Sequence, residues 1–284
     1  MSGFRNPEIK YSLRSPHDVN VLITGAGRGI GKRLAIGFAR NKARVGLLGR
    51  SQGELSVTKL EIEDGGGTAL QLRADVRNFE QVSAAVDRLV SQWGQIDTLI
   101  CNAAVQGPIG PFASHKPSAW QEVFETNILG VMNSCRAVLP RMLARRAGKI
   151  IVIAGPGCAS PRPRFSPYAA SKAAIVRFVE SVAEEIREDN VQINCMLPGE
   201  TYTNMTDEIL HAGERAGVEE IETAEKIQVT GGTLTEKQIQ LALFLASERS
   251  NHLSGKLLYV QDDWKKLEHD NARPDAFTLR RHLK

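Results

Sequence analysis

Residues 20–31 run Asn20-Val21-Leu22-Ile23-Thr24 and then Gly25-Ala26-Gly27-Arg28-Gly29-Ile30-Gly31. The short, mostly apolar string predicts a buried strand. The glycines after it predict a turn tight enough for backbone to approach a ligand. Ile30, Leu34, Ala35 and Phe38 then recur at helical spacing. Strand, glycine turn and helix, in that order, suit a pyrophosphate. The turn admits it closely, and the helix N-terminus presents N–H groups to its negative charge. A GxGxxG match alone is weak; its place between a first strand and a first helix gives it weight.

The same unit repeats along the chain. Short apolar strings at 44–48, 69–73, 96–101, 149–154, 191–197 and 256–260 predict strands. Helical patterns fill the intervals. One is charged and stops at Gly65-Gly66-Gly67; the next lines up Val82, Val86, Leu89, Val90 and Trp93 on one face. A long stretch over 118–146 is expected to bend or break near Gly130, and further helices are expected over 166–188 and 236–246. Strands spaced by helices predict an α/β fold: a doubly wound parallel sheet with helices on both faces, in a single domain. Residues 1–19 read as an N-terminal arm, 20–261 as the domain and 262–284 as a C-terminal extension. Within the domain, 204–230 reads as an insertion at a strand end, where open α/β sheets place ligands. It carries Asp207, Glu208, Glu214, Glu219, Glu220, Glu222 and Glu225 against Arg215 and Lys226. A mobile lid over a substrate is the preferred reading, a solvated helical insertion the plain one.

Composition removes other classes. With 42% apolar and 24% charged residues among 284, and a net charge of +4, the chain is too apolar and too balanced to be disordered. Its apolar runs are too short to span a bilayer, and MSGFRNPEIK lacks the apolar core of a signal peptide. Cys101, Cys135, Cys158 and Cys195 stand 23 to 37 residues apart, without metal-binding or redox spacing. They read as buried thiols in a reducing, cytoplasmic setting, and no metal is expected. Arg141, Arg145, Arg146 and Lys149 read as a solvated helix end, not a nucleic-acid surface.

Two features bear on chemistry. The second strand ends Leu48-Gly49-Arg50, with no carboxylate to accept bonds from a ribose 2′-hydroxyl. Arg50, helped by Arg28, suits a 2′-phosphate, so NADP(H) is the expected cofactor and NAD(H) the alternative. Further on, Tyr168-Ala169-Ala170-Ser171-Lys172 sets a phenol and an ammonium one helical turn apart. A cation beside a phenol favours the phenolate. Such a pair can pass a proton to or from an oxygen while a nicotinamide moves hydride.

Together these motifs resemble the short-chain dehydrogenase/reductase family, in its 3-oxoacyl-acyl-carrier-protein reductase branch. The resemblance runs from about residue 20 to 260 and implies a Rossmann-like fold. Thr24 to Gly31 matches TGxxxGxG. Asp75-Val76 matches the pair that contacts adenine, and Asn102-Ala103-Ala104 resembles the NAG stretch with its glycine replaced. Asn127 falls at the family's proton-relay asparagine, and Tyr168 with Lys172 is its YxxxK. Pro198-Gly199-Glu200-Thr201-Tyr202-Thr203 resembles the segment holding the carboxamide side of nicotinamide. The resemblance therefore implies Asn127, Tyr168 and Lys172 as catalytic residues. Gly25, Gly27, Arg28, Gly29, Ile30, Gly31, Arg50, Asp75, Val76, Asn102, Ala103, Pro198, Gly199, Thr201 and Thr203 would hold the cofactor, with Tyr168 and Lys172 beside it. It also implies a homodimer or homotetramer built through the long helices.

One departure stands out. The family's serine, thirteen residues before the tyrosine, is Gly155 here. A hydroxyl that would bond the substrate oxygen is missing. Cys158, Ser160, a backbone N–H or a substrate hydroxyl are the candidate replacements. If the missing donor limits the rate, Gly155→Ser should raise turnover; a pocket built around glycine predicts no gain. Glu200, Asp262 and Trp264 are expected on the substrate side, the last two from a tail that suits a hydroxylated molecule and equally a subunit contact. The expected function is interconversion of a ketone and a secondary alcohol, the substrate a sugar, a polyol or a 3-oxoacyl compound. The alternative is a dinucleotide-binding sensor or scaffold with little or no catalysis.

Overall fold

The computed structural model describes residues 19–268 and 275–279. The expected arm, apart from Val19, lies outside the described residues. Seven strands, β1 (Asn20–Thr24), β2 (Arg44–Gly49), β3 (Thr68–Arg73), β4 (Thr98–Cys101), β5 (Gly148–Ile153), β6 (Val191–Leu197) and β7 (Leu257–Tyr259), form one sheet in the order β3-β2-β1-β4-β5-β6-β7. Every pairing is parallel. The doubly wound expectation holds. All residues of β1 and β4 are buried, whereas β3 at the sheet edge is exposed at both ends, as burial on both faces of the central strands requires.

Helices α1 (Gly29–Arg40), α2 (Gln52–Asp64) and α9 (Thr235–Ala246) cover one face through Leu34, Phe38, Leu55, Ile62 and Phe244. Helices α3 (Phe79–Trp93), α5 (Gly130–Ala144) and α6 (Ser166–Glu185) cover the other through Val86, Leu89, Val138, Ile175 and Val179. The expected break before Gly130 is a π-helical turn, Glu125–Leu129, joining α4 (Pro117–Phe124) to α5. The insertion folds as α7 (Asn204–Ala212) and α8 (Val218–Thr230), linked by a 3-10 turn. Its two ends are tied together by an antiparallel bridge, Thr201 to Gly232, and by the Thr233 N–H donating to the Glu200 carbonyl at 2.6 Å. No helix among the described residues is long and apolar enough to cross a membrane.

The described residues of the extension do not line the cleft. Trp264 is buried on the α1/α9 face, its ring stacked 5.1 Å from that of Phe244. Asp262 turns back to accept the Tyr259 N–H at 2.7 Å, closing the end of β7. Farther on, the Phe277 carbonyl accepts the Leu257 N–H at 2.7 Å, and the Leu279 N–H donates to Glu180 Oε1 of α6 at 2.6 Å. The segment thus covers an otherwise open sheet edge.

Helix α1 crosses α9 at Gly37, where a Cβ would meet Ile239 Cδ1 and Cγ1 at 2.6 Å. Gly37→Ala gains roughly 1 kcal/mol of helix propensity but forces a buried branched side chain aside, at about 1–3 kcal/mol. We expect a net loss of about 1 kcal/mol in urea unfolding; a stabilised variant would contradict the tight crossing.

Candidate active site

Parallel strands bring all their carboxyl ends to one edge of the sheet, and a cleft of about 1050 Å³ opens there. The glycine turn forms its floor. Gly25 and Gly29 have φ of +66° and +56°, which side-chain-bearing residues rarely adopt. Gly31 lies behind the turn, where a Cβ would run into the Gly25 carbonyl. Thr24 and Asn102 lock the turn to β4. The Asn102 N–H donates to Thr24 Oγ1 at 3.0 Å, and Asn102 Nδ2 donates to the Thr24 and Gly25 carbonyls at 3.0 and 3.2 Å. Helix α1 starts at Gly29 with no side chain capping it and no acid in its first turn. Its first N–H groups are therefore left for a ligand, and an anionic pyrophosphate fits them.

Arg28 and Arg50 are exposed at the cleft wall, and Arg28 pairs with Glu54 at 3.4 Å. Asp75 is gripped by the Arg77 guanidinium at 2.7–3.1 Å, which holds its carboxyl below the usual range. Val76, Ala103, Pro198, Gly199, Glu200, Thr201 and Thr203 line the same cleft, as do Gly27 and Ile30.

Tyr168 and Lys172 sit in the first turns of α6, which Pro167 helps to start. They are 5% and 3% exposed, so both are nearly out of water. Lys172 Nζ donates to the Ile153 carbonyl at 2.9 Å and lies 5.5 Å from the Tyr168 ring centroid. Burial pulls the Lys172 ammonium down to about 8. Burial pushes the Tyr168 phenol up to about 12, against an opposing pull from the Arg162 guanidinium. The Arg162 guanidinium thus adds its field to that of Lys172, the two cations standing equally far from the ring.

Asn127 does not line the cleft. The π-helical turn aims its amide inward, to accept the Val105 N–H at 2.8 Å and donate to the Val105 carbonyl at 2.9 Å and Ser171 Oγ at 3.0 Å. Ser171 in turn donates to the Tyr168 carbonyl at 2.7 Å. Asn127 therefore braces the helix that carries the tyrosine. Ser171 stands between Tyr168 and Lys172 in the sequence, where nothing local marks it for this supporting role. The buried Thr126 hydroxyl lines the cleft with no hydrogen-bond partner among the described residues.

Gly155 lies against Tyr168. A Cβ there would collide with the phenol oxygen and stand 3.1 Å from Cζ. The tyrosine has taken the room that a larger residue needs. Three expected substrate-side residues are elsewhere. Cys158 is buried beneath the cleft, its N–H donating to the Gly155 carbonyl at 3.2 Å and burial pushing its thiol up. Asp262 and Trp264 are committed to the end of β7 and to the core. The insertion lines the cleft instead. Ile209, Ala212, Ala216 and Ala224 pack with Phe165 and Tyr168, joined by Met205 and Ile221. No group of three or more potential metal ligands occurs among the described residues.

The comparisons agree with this geometry. A sequence model of the family described as short chain dehydrogenase matches residues 19–213. "Oxidoreductase UcpA" of Salmonella typhimurium is 35% identical over 237 residues, covering 82% of this chain and 89% of that protein. "3-oxoacyl-[acyl-carrier-protein] reductase FabG" of Staphylococcus aureus is 28% identical, covering 85% of this chain and 96% of its own length. Among solved structures, a gluconate 5-dehydrogenase from Burkholderia cenocepacia, in complex with NADP and tartrate, superposes with a TM-score of 0.77 at 28% identity, covering 88% of this chain and 95% of its own. With the family match spanning well over half its length, this chain belongs to the short-chain dehydrogenase/reductase family of oxidoreductases.

Proposed function

We propose that this protein is an NADP(H)-dependent reductase of ketones with an apolar body, acting reversibly on the corresponding secondary alcohols. The observation that carries the reading is the buried Tyr168–Lys172 pair at the end of a cleft that begins at an uncapped helix N-terminus. Bound there, the nicotinamide supplies or takes the hydride. Tyr168 donates its phenolic proton to the carbonyl oxygen, or removes the proton of the alcohol. Lys172, fixed by Ile153, keeps a positive charge beside the forming phenolate. Asn127 and Ser171 hold α6 in place so that the phenol keeps its aim. Arg28 and Arg50 support the choice of the 2′-phosphorylated cofactor, since no acid closes the end of β2.

Met205, Ile209, Val218, Ala224 and Ile227 of α7 and α8 line the cleft and favour an acyl or similar hydrocarbon body, with Thr206, Glu208, Glu219 and Thr223 as polar contacts beside it. The sugar expectation rested on Asp262 and Trp264, which do not reach the cleft.

The test is a panel of aliphatic ketones, 3-oxoacyl thioesters and polyols with NADPH and NADH. We expect turnover of apolar ketones with NADPH and a fall of roughly a hundredfold or more in Tyr168→Phe. NADPH binding without turnover on any member would favour the sensor or scaffold. Arg50→Ser should raise the KM for NADPH by at least about tenfold, a loss of about 1.4 kcal/mol, and spare that for NADH. Gly155→Ser should lower kcat by roughly three- to tenfold, because a displaced tyrosine costs about 1 kcal/mol; a faster variant would show that the missing hydroxyl limits the rate.

Lys172 also marks stability. Its native value of about 8 lies below the ordinary lysine value of 10.5, so between those values the unfolded chain binds more protons and stability rises with pH. Below pH 8 the full cost of the buried ammonium is present. Lys172→Met should therefore stabilise the protein by about 2 kcal/mol at pH 7, the gain vanishing before pH 10.5. A pH-independent difference in denaturant midpoints would contradict the burial argument.

A further inference from the structure

The loop between β5 and α6 carries two arginines that hold the insertion. Arg162 Nε and a terminal nitrogen donate to the two Glu220 carboxylate oxygens at 2.7 and 2.8 Å. Its side chain is only 8% exposed. The guanidinium carbon stands 3.9 Å from the Phe165 ring centroid and 5.5 Å from that of Tyr168, the same distance as Lys172 Nζ. A guanidinium so far from water is costly unless its donors are met. The planar fork of Glu220 and the aromatic faces meet that need. Arg164, at φ +70°, donates to the Glu214 and Arg215 carbonyls at 3.0 and 3.1 Å. One short loop thus grips the turn before α8 and the first turn of α8, and runs directly into the helix bearing Tyr168. The far end of the insertion turns on Gly231 and Gly232, at φ +76° and +73°.

Resting on the reading of Tyr168 as the proton donor, we propose that Arg162 is a positioning residue for the reaction: clamped by Glu220 of the seated insertion, it is the second cation on the Tyr168 ring and holds the phenol against Gly155, in place of the hydroxyl this chain lacks. As the proton leaves, negative charge grows on the phenol oxygen, and a fixed cation nearby lowers the energy of that state. Lys172 is already bonded to Ile153. The charged and titratable groups facing Tyr168 are Arg162 and Cys158 of the loop and Lys172 of α6; Glu220 of α8 faces Arg162, and Cys195 of β6 faces Lys172. When α8 lifts, Glu220 leaves with it and the guanidinium is free to return to water. The donor is then complete only while the insertion is seated over a substrate, so closure and proton transfer are coupled.

The test uses the full chain labelled with 3-fluorotyrosine, the Tyr168 fluorine resonance being assigned by its absence in Tyr168→Phe. Chemical shift and titration midpoint are followed in wild type, Arg162→Met, Arg162→Lys and Glu220→Gln, beside kcat and KM on the best ketone of the panel. Arg162→Met and Glu220→Gln should move the resonance, raise the midpoint by about one pH unit and lower kcat roughly tenfold. Arg162→Lys, which keeps the charge, should return the midpoint at least halfway. An unmoved resonance and midpoint in Arg162→Met would overturn the proposal and leave Arg162 as a clasp. If that variant does not fold, Glu220→Gln at the solvent side of the pair carries the same decision. Absence of turnover across the panel would sink the reductase reading alone, because the fluorine signal needs neither substrate nor cofactor.

Discussion

Parallel strands cannot be joined by hairpins, and that constraint governs this molecule. Each connection must cross a face of the sheet, so helices cover both faces and every strand ends at the same edge. The glycine turn after β1, Asp75 after β3, Asn102 after β4, Gly155 after β5 and Pro198 after β6 meet there without any direct contact in sequence. The cleft is a consequence of topology before it is a feature of any side chain. Insertion helices α7 and α8 leave from that edge too, after β6, which is why they can form the substrate wall.

The chemistry at the edge runs against stability. A phenol and an ammonium, both nearly out of water, occupy adjacent turns of α6. Burial disfavours the charged form of each, and the surroundings answer with fixed partners: a carbonyl for Lys172, the Asn127–Ser171 brace for the helix backbone and a guanidinium for the Tyr168 ring. Gly155 is part of the same accommodation. Without a side chain there, the phenol settles into the vacated volume, and the loop that follows supplies a cation in place of a neutral donor.

Local patterns were legible because they need only local physics. The strand before Gly25, the turn itself and the Tyr168–Lys172 spacing can be read within a dozen residues, and the break near Gly130 is the π-helical turn that buries Asn127. The helix read to residue 188 stops at Glu185, since the last charged residues only turn toward β6. The failures were long-range. Trp264 among charges gave no sign of which surface it would meet, and Phe244 proved to be its partner. Nothing local marks Arg162, because its partner Glu220 lies 58 residues on. Cys158 was proposed as a donor from proximity in sequence, but its backbone turns back to Gly155 and buries the thiol.

In the proposed reaction a bound nicotinamide would give hydride to a ketone while Tyr168 supplies the proton. The most direct measurement is reduction of an apolar ketone with NADPH deuterated at the nicotinamide C4, on the transferring face, followed by mass analysis of the alcohol. We expect one deuterium at the new carbinol carbon, with the label transfer slowed strongly in Tyr168→Phe. Tight NADPH binding with no label in any product would contradict it and leave a dinucleotide-binding protein without this chemistry.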